Sequence, residues 1–474
     1  MKSNSAIVWF RNDLRLHDNE ALTEAAKHAE KIIPIYVFDE REMFGKTSFG
    51  FKRTEKFRAK FIIEAVQNLR ENFAKFDIPL IVRMGKPEEI IPEIARQEKT
   101  SWVYCNRERT TEELYVQDTL ETNLWAIGQE VRYSRGKMLY YTADLPFPVT
   151  HCPDTFSTFR KEVERFTPIR EPLPIPDFLL NKTSDTVEEG EMPSLGSFGH
   201  EEVENLGDYI LLGGEDAGKE ELKYYLFDSK LVSTYKKTRN GLLGRDYSSK
   251  LSAYLSIGCL SPKYIYQQIK AYEAEHGANE STYWLFFELL WRDFFRLMGK
   301  KHENRIFQLG GTKKSPDANL GLDMAIFEKW ASGTTGVPFV DANMRELNST
   351  GFMSNRGRQN VASFLIHDLK LNWLLGAEYM ESLLIDYDPC SNYGNWNYIA
   401  GVGSDPREKR HFNVVIQSKK YDPSGEFIKR WIPELADISS KYIHRPDMME
   451  QSSEEDVDQK SSYPEPMMIN EDWC

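Results

Sequence analysis

Over the first 135 residues, short apolar runs alternate with amphipathic stretches. The runs fall at 6–10, 32–38, 80–83, 102–105 and 130–133. Runs this short, bounded by polar residues, read as strands. Between them the apolar residues recur with helical spacing, which predicts helices near 19–30, 53–75, 87–98 and 111–128. Asp18 and Thr54 are the expected N-caps, and Pro87 suits a first helical turn. Strands alternating with helices predict an α/β domain on a parallel five-stranded sheet, with ligands beyond the carboxyl ends of its strands. No G-x-G-x-x-G or Walker A pattern follows any of these strands, which argues against an ordinary dinucleotide or nucleoside-triphosphate site there.

The pattern dissolves over 136–214, where eight prolines fall between positions 146 and 193. This stretch reads as a connector laid over the surface rather than a domain. From 215 to 445 the spacing is helical almost throughout. Candidate helices are 216–229, 249–256, 262–276, 281–300, 322–332, 341–349, 355–372 and 376–385. The last residues, 446–474, set nine acidic residues against Lys460 and read as a solvated, disordered tail. No internal repeat is visible.

Composition changes this picture in three ways. The formal charge of −13 argues against a basic coat, yet −8 of it lies in the tail. Basic residues spaced from Arg292 to Arg410 predict a local basic groove on an otherwise acidic protein. The five cysteines form no C-x-x-C pair and the nine histidines no H-x-x-x-H pair, so a reducing compartment and no metal site are expected. The longest early apolar run has five residues and is followed by Arg11, too short for a signal peptide or a membrane span. A cytoplasmic monomer is the expectation.

Four segments of the helical region carry chemistry. Trp284, Glu288, Trp291, Arg292 and Phe295 share one face of a predicted helix. Either Glu288 and Arg292 pair within that helix at the solvent boundary, or the face lines a large polar-aromatic ligand. The run 248–252 sets hydroxyls at a helix start, a position suited to capping or to phosphate. In 352–358, Asn355 and Arg358 share a face while Arg356 points elsewhere. The stretch 386–398 reads as a loop rich in turn formers, with two carboxylates and three amides.

With these segments the chain resembles the photolyase/cryptochrome family. The similarity lies in WFRNDLRLHDN, SSKLSAYLSIGCLSP, ELLWRDFFR, GVPFVDANMRELNSTGFMSNRGRQNVASFL and IDYDPCSNYGNWNY, in the family's order. The DPCSNYGNWNYIAGVGSDPRE and FNVVIQSKKYDP stretches resemble the DASH cryptochrome branch in particular.

The resemblance implies a Rossmann-like α/β domain (1–135), a connector (136–214), an all-α FAD-binding domain (215–445) and a tail (446–474). It places Tyr235, Ser248, Ser249, Leu251 and Ser252 at the FAD phosphates, with Glu288 and Arg292 in the same cavity. Phe352, Asn355 and Arg358 lie along the flavin, Asp386 and Asp388 contact its ring and ribityl part, Arg358 pairs with Asp386, and Asn392 faces N5. Trp396 and Trp373 match the inner members of a photoreduction chain, whose outer position is Leu320 here, with Trp330 or a tyrosine as a substitute. Glu288, Trp291, Asn355, Arg356, Tyr398 and Arg410 match a lesion-binding mouth. Glu113 matches a pterin-binding glutamate, implying a methenyltetrahydrofolate antenna, although an acidic first helical turn accounts for it equally well. The implied activity is blue-light repair of cyclobutane pyrimidine dimers by electron transfer from reduced flavin. Tyr398, where duplex-repairing relatives carry Trp, implies single-stranded DNA as the main substrate. The competing implication is a blue-light receptor that signals through a partner or undamaged nucleic acid.

Overall fold

The computed structural model describes residues 5–176, 187–204, 206–207, 209–313, 321–404, 410–449 and 462–473. Five strands, β1 (Ala6–Phe10), β2 (Ile32–Asp39), β3 (Ile81–Gly85), β4 (Trp102–Asn106) and β5 (Glu130–Ser134), pair in parallel in the order β3-β2-β1-β4-β5. The crossovers are α1 (Glu20–His28), the short α2 (Glu40–Met43) with α3 (Lys56–Ala74), α4 (Pro87–Gln97) and α5 (Thr111–Trp125). Alternation along β1 serves two cores. Ala6, Val8 and Phe10 face one side of the sheet, and Ile7 and Trp9 face the other. Central strands buried on both faces are the signature of a parallel sheet.

Pro87 opens α4 as expected. The other two caps differ. Asn19, not Asp18, caps α1 by accepting from Leu22 N at 3.0 Å. Asp18 sits at φ +50° and instead accepts from Leu173 N and pairs with Lys263 at 2.7 Å. Glu55 precedes α3, and the Thr54 carbonyl accepts from His200.

The connector contains α6 (Phe156–Phe166), whose Phe156, Phe159 and Val163 are buried. Its apolar face docks onto the helical domain, so this part of the connector is a packed element.

The helical domain runs α7 (Glu215–Lys223), α8 (Tyr235–Thr238), α9 (Ser252–Ser256), α10 (Pro262–His276), α11 (Glu280–His302), α12 (Met324–Ser332), α13 (Pro338–Thr350), α14 (Asn355–Ser363), α15 (Trp373–Leu383), α16 (Pro389–Ile399), α17 (Val414–Tyr421) and α18 (Glu426–Trp431). The stretch read as a loop is therefore α16: Asp388 caps it by accepting from Ser391 N at 2.8 Å, and Pro389 occupies its first turn. One core continues from Phe10 and Phe61 through Tyr254 to Leu290 and Phe294, joining the two domains. A second core surrounds Trp330, Trp373 and Trp396.

The tail corrects another expectation. Residues 462–473 lie against the helical domain: Tyr463 donates to Asp341 at 2.5 Å, Met467 N to Thr335 O at 2.8 Å, and Asn470 to Asp368 at 3.0 Å. Trp473 is buried in the second core, stacked 6.2 Å from Phe364. Two aromatic anchors outweigh the local acidity. Residues 450–461 lie outside the described residues.

Candidate FAD-binding and DNA-recognition site

Four chain segments meet around one open cavity of about 1500 Å³. α11 presents Leu285, Glu288, Leu289 and Arg292 at spacings of three and four, one face of one helix. The start of α9 and the stretch before it contribute Ser248, Ser249, Lys250, Leu251 and Ser252. α14 and the residues before it add Phe352, Asn355 and Arg358. α16 and the residues just before it add Asp386, Asp388, Asn392 and Trp396, and Tyr235 completes the wall. All the positions matched to FAD thus face one space, as does Trp396, whereas Glu113, matched to the antenna, lies outside it.

Arg358 donates to Asp386 at 2.9 Å, the pair that the resemblance implies. The other Asp386 oxygen is buried without a hydrogen-bond partner. Asn392 donates its amide to Ala377 O at 3.0 Å, which leaves its carbonyl oxygen as an acceptor for a ligand. Mixed polar and apolar walls with an unmet carboxylate oxygen suit a dinucleotide as amphipathic as FAD.

The Glu288–Arg292 pair does not form. Glu288 pairs instead with Arg239, which also lies 5.9 Å from the Trp284 ring. Arg292 donates to the carbonyls of Lys137 at 2.8 Å and Leu255 at 3.1 Å. It is therefore committed to the protein interior and leaves the expected basic groove. Arg358 leaves it likewise, toward Asp386, while Arg407 and Lys409 lie outside the described residues.

Behind the cavity runs a buried row of charges. Arg296 on α11 donates to Asp388 at 2.8 Å and to Glu108, just after β4, at 3.1 Å; Glu108 pairs with Lys137. Burial alone would raise the Glu108 carboxyl, yet Lys137 and Arg296 hold it down at about 2. Burial is likewise outweighed at Asp388, where Arg296 and Arg292 keep the carboxyl below its ordinary value. The row reaches the α/β domain through Glu108, just after β4, and Lys137, just after β5, at the carboxyl ends of the strands. Sequence reading missed Arg239, Lys250, Glu108 and Arg296. Only Lys250 had a local signal, a lysine among serines.

The remaining predicted residues lie outside the cavity lining. Trp291 is stacked on Phe156 of α6 at 3.7 Å and meets the Tyr398 ring edge-on at 6.0 Å. Phe156 thus covers one of the two ring faces expected to be open for a base. Arg410 donates to the Tyr398 hydroxyl and lies 4.2 Å over its ring. Arg356 points away from Arg358, donating to Asn240 at 3.0 Å. Trp373 is fully buried and donates to Leu309 O at 3.0 Å. Gly376 on α15 lets that helix lie against Trp396: a Cβ there would fall 2.2 Å from the indole. Trp330 is fully buried and donates to Val361 O, so it is no solvent-facing substitute. Leu320 lies outside the described residues. Glu113 closes a capping box with Thr110, accepting from Thr110 N at 3.0 Å. Among the described residues, no helix is long and apolar enough to cross a membrane, and no group of three His, Cys, Asp or Glu is placed to hold a metal ion.

Comparison with known proteins agrees with this geometry. Residues 6–177 match the DNA photolyase family, and residues 284–472 match the FAD binding domain of DNA photolyase. A Cryptochrome DASH of Gloeobacter violaceus is 46% identical over 94% of this chain and 89% of its own length. A Cryptochrome DASH of Danio rerio is 44% identical over 99% and 91%. The crystal structure of a Synechocystis cryptochrome superposes with a TM-score of 0.91 at 43% identity, covering 98% of this chain and 96% of that one. A bacterial class III photolyase from Agrobacterium tumefaciens superposes at 0.84 with 26% identity, covering 100% and 96%. The cavity is that of an FAD-binding photolyase-type fold. The chain belongs to the photolyase/cryptochrome family, in its DASH cryptochrome branch.

Proposed function

We propose that the protein repairs cyclobutane pyrimidine dimers under blue light, mainly in single-stranded DNA, and works as a cytoplasmic monomer. Bound FAD supplies the chemistry, one electron lent to the dimer and recovered after the ring splits. The observation that carries this reading is the convergence of Arg358–Asp386, Asn392 and Glu288 on one cavity.

The chain's own residues then have separable tasks. Arg358 fixes Asp386, whose unmet oxygen is available to a cofactor N–H or hydroxyl. Asn392 offers an acceptor where the resemblance places flavin N5, which suits a reduced ring carrying a proton there. Glu288, held by Arg239 at the cavity wall, can accept from or turn toward a pyrimidine edge. Tyr398, clamped by Arg410, offers a smaller aromatic wedge than Trp. Extracting a dimer from a duplex costs a few kcal/mol of unstacking, and a single strand escapes most of that cost. Asn355, Arg356 and Arg410 are the proposed lesion and phosphate contacts.

A methenyltetrahydrofolate antenna between the domains belongs to the same reading. Glu113 accepts from the Arg109 backbone N–H at 3.2 Å, and the half-buried Arg109 guanidinium donates to the Met138 sulfur at 3.4 Å. Such a cation suits the carboxylates of a folate. The test of strand preference is turnover under blue light on one dimer-containing oligonucleotide, alone and annealed. Single-strand repair at least about tenfold faster is expected; equal turnover contradicts the preference.

A further inference from the structure

Trp373 is fully buried, and its indole N–H donates to Leu309 O at 3.0 Å. A backbone carbonyl accepts a hydrogen bond but takes no proton. An indole that loses an electron here keeps its proton and its positive charge, so it remains a strong oxidant in need of a donor. The ring of Tyr393 meets it edge-on, with centroids 6.3 Å apart at 74°. Tyr393 stands on α16 one turn before Trp396 and does not line the FAD cavity.

Tyr393 has the proton acceptor that Trp373 lacks. Its buried phenol donates to Glu381 Oε2 at 2.9 Å, within reach for transfer to a base. Burial pushes the phenol up, so it stays protonated until an electron leaves. Burial also pushes up the Glu381 carboxyl, which makes it a better proton acceptor, while Arg53 opposes that shift. Arg53 lies 3.9 Å from Glu381 and pairs with the exposed Glu112, so the carboxyl connects to the surface. Neighbouring tyrosines lack one of these features. Tyr379 meets Trp330 at 6.1 Å but donates to the Asn348 amide oxygen at 2.8 Å, and an amide is no base. Tyr387 also reaches Glu381, but Arg58 lies 4.5 Å over its ring, and a cation there opposes loss of an electron.

We propose that Tyr393 is the terminal electron donor of photoreduction in this protein, with Glu381 as its proton acceptor. Light-excited oxidised FAD is the oxidant, and Trp373 has given up one electron to it by way of Trp396. One electron then passes from Tyr393 to the Trp373 radical cation, and the phenolic O–H bond breaks as its proton moves to the Glu381 carboxylate. The products are neutral Trp373, a neutral Tyr393 phenoxyl radical and protonated Glu381. Recombination is slowed because the positive charge has left the rings as a proton. An external thiolate restores Tyr393 by supplying one electron, and the proton returns from Glu381. The proposal rests on the FAD cavity and on the route through Trp396, and is independent of DNA repair.

The test uses full-length FAD-loaded protein under a blue flash, read by time-resolved electron paramagnetic resonance and transient absorption. In the wild type the long-lived radical is expected to carry a phenoxyl spectrum that ring-deuterated tyrosine narrows. Deuterium oxide is expected to slow its formation. Tyr393→Phe is expected to leave only a tryptophan radical, which recombines. Glu381→Gln keeps a hydrogen-bond acceptor but no base, and is expected to slow phenoxyl formation at least about a hundredfold. Tyr379→Phe is the control and is expected to match the wild type. If Tyr393→Phe does not accumulate with FAD, ring-deuterated wild type and Glu381→Gln decide. A long-lived wild-type radical that is a tryptophan, a phenoxyl signal that survives in Tyr393→Phe, or an undiminished rate in Glu381→Gln overturns the proposal. A phenoxyl signal that survives in Trp396→Phe overturns the route on which it rests, a failure of a different kind.

Discussion

Arg296 and Asp388 meet at 2.8 Å with both side chains buried, one on the long helix α11 and the other capping α16. This contact ties the wall of the FAD cavity to the α/β domain, because the same guanidinium holds Glu108 at 3.1 Å. Removing one member of a buried charge row leaves its partners uncompensated, at a cost of about 3–5 kcal/mol. Arg296→Met is therefore expected to lower the unfolding free energy by that amount, read as a lower urea midpoint, while an exposed control such as Lys27→Met leaves the midpoint unchanged.

The same row predicts an acid limb. Glu108 and Asp388 are both depressed in the folded state, Glu108 to about 2. A depressed carboxyl contributes stability that is complete above its unfolded value, about 4.3 for Glu, and is lost as pH falls toward the folded value. Urea midpoints in the wild type should drop between about pH 4.5 and 2. A smaller drop in Glu108→Gln, at constant unfolding slope, is the expected signature, because Asp388 still contributes its share.

The C-terminal anchor is expected to be structural. Trp473→Ala should cost about 3 kcal/mol, the ordinary figure for deleting a buried indole. Tyr463→Phe should cost about 1–3 kcal/mol by leaving Asp341 one donor short. Thermal melts of both variants with FAD bound provide the check, and unchanged melting temperatures would show that the anchor is dispensable.

For the antenna, absorbance in the near-UV folate band should be present in the protein as isolated and absent in Glu113→Gln. That substitution also weakens a capping box, so a stability loss of about 1 kcal/mol should accompany it. Arg109→Met separates the two effects, because it leaves the box intact and should still abolish the band.

Photoreduction should run through Trp396. It lines the cavity, and Trp373 lies behind it on a helix that Gly376 brings against its ring. Trp396→Phe is expected to slow flavin photoreduction at least about tenfold while FAD stays bound, since electron transfer needs the oxidisable indole and binding does not. Transient absorption gives both readouts; an unchanged rate would exclude this route.

The strands, the connected helices and the cavity residues were legible because each rests on local information, an apolar run or a motif of a few residues. α16 was not, because Pro389, Ser391, Asn392, Gly394 and Asn395 are individually turn formers. The helix exists because Asp388 caps it and because Gly394 lets it press on Phe295, where a Cβ would fall 2.4 Å from the ring. Glu288 finds Arg239 across 49 positions, and Glu108 finds Arg296 across 188, pairings that no local pattern announces. In the tail, nine acidic residues masked the two aromatics that anchor it.

The most direct measurement of the central claim uses purified protein, a reductant and a single-stranded oligonucleotide carrying one thymine dimer, under blue light and in the dark. Loss of the dimer in light and its persistence in the dark is the expected result. Persistence in both, while the flavin still photoreduces, would contradict repair and point to a light receptor.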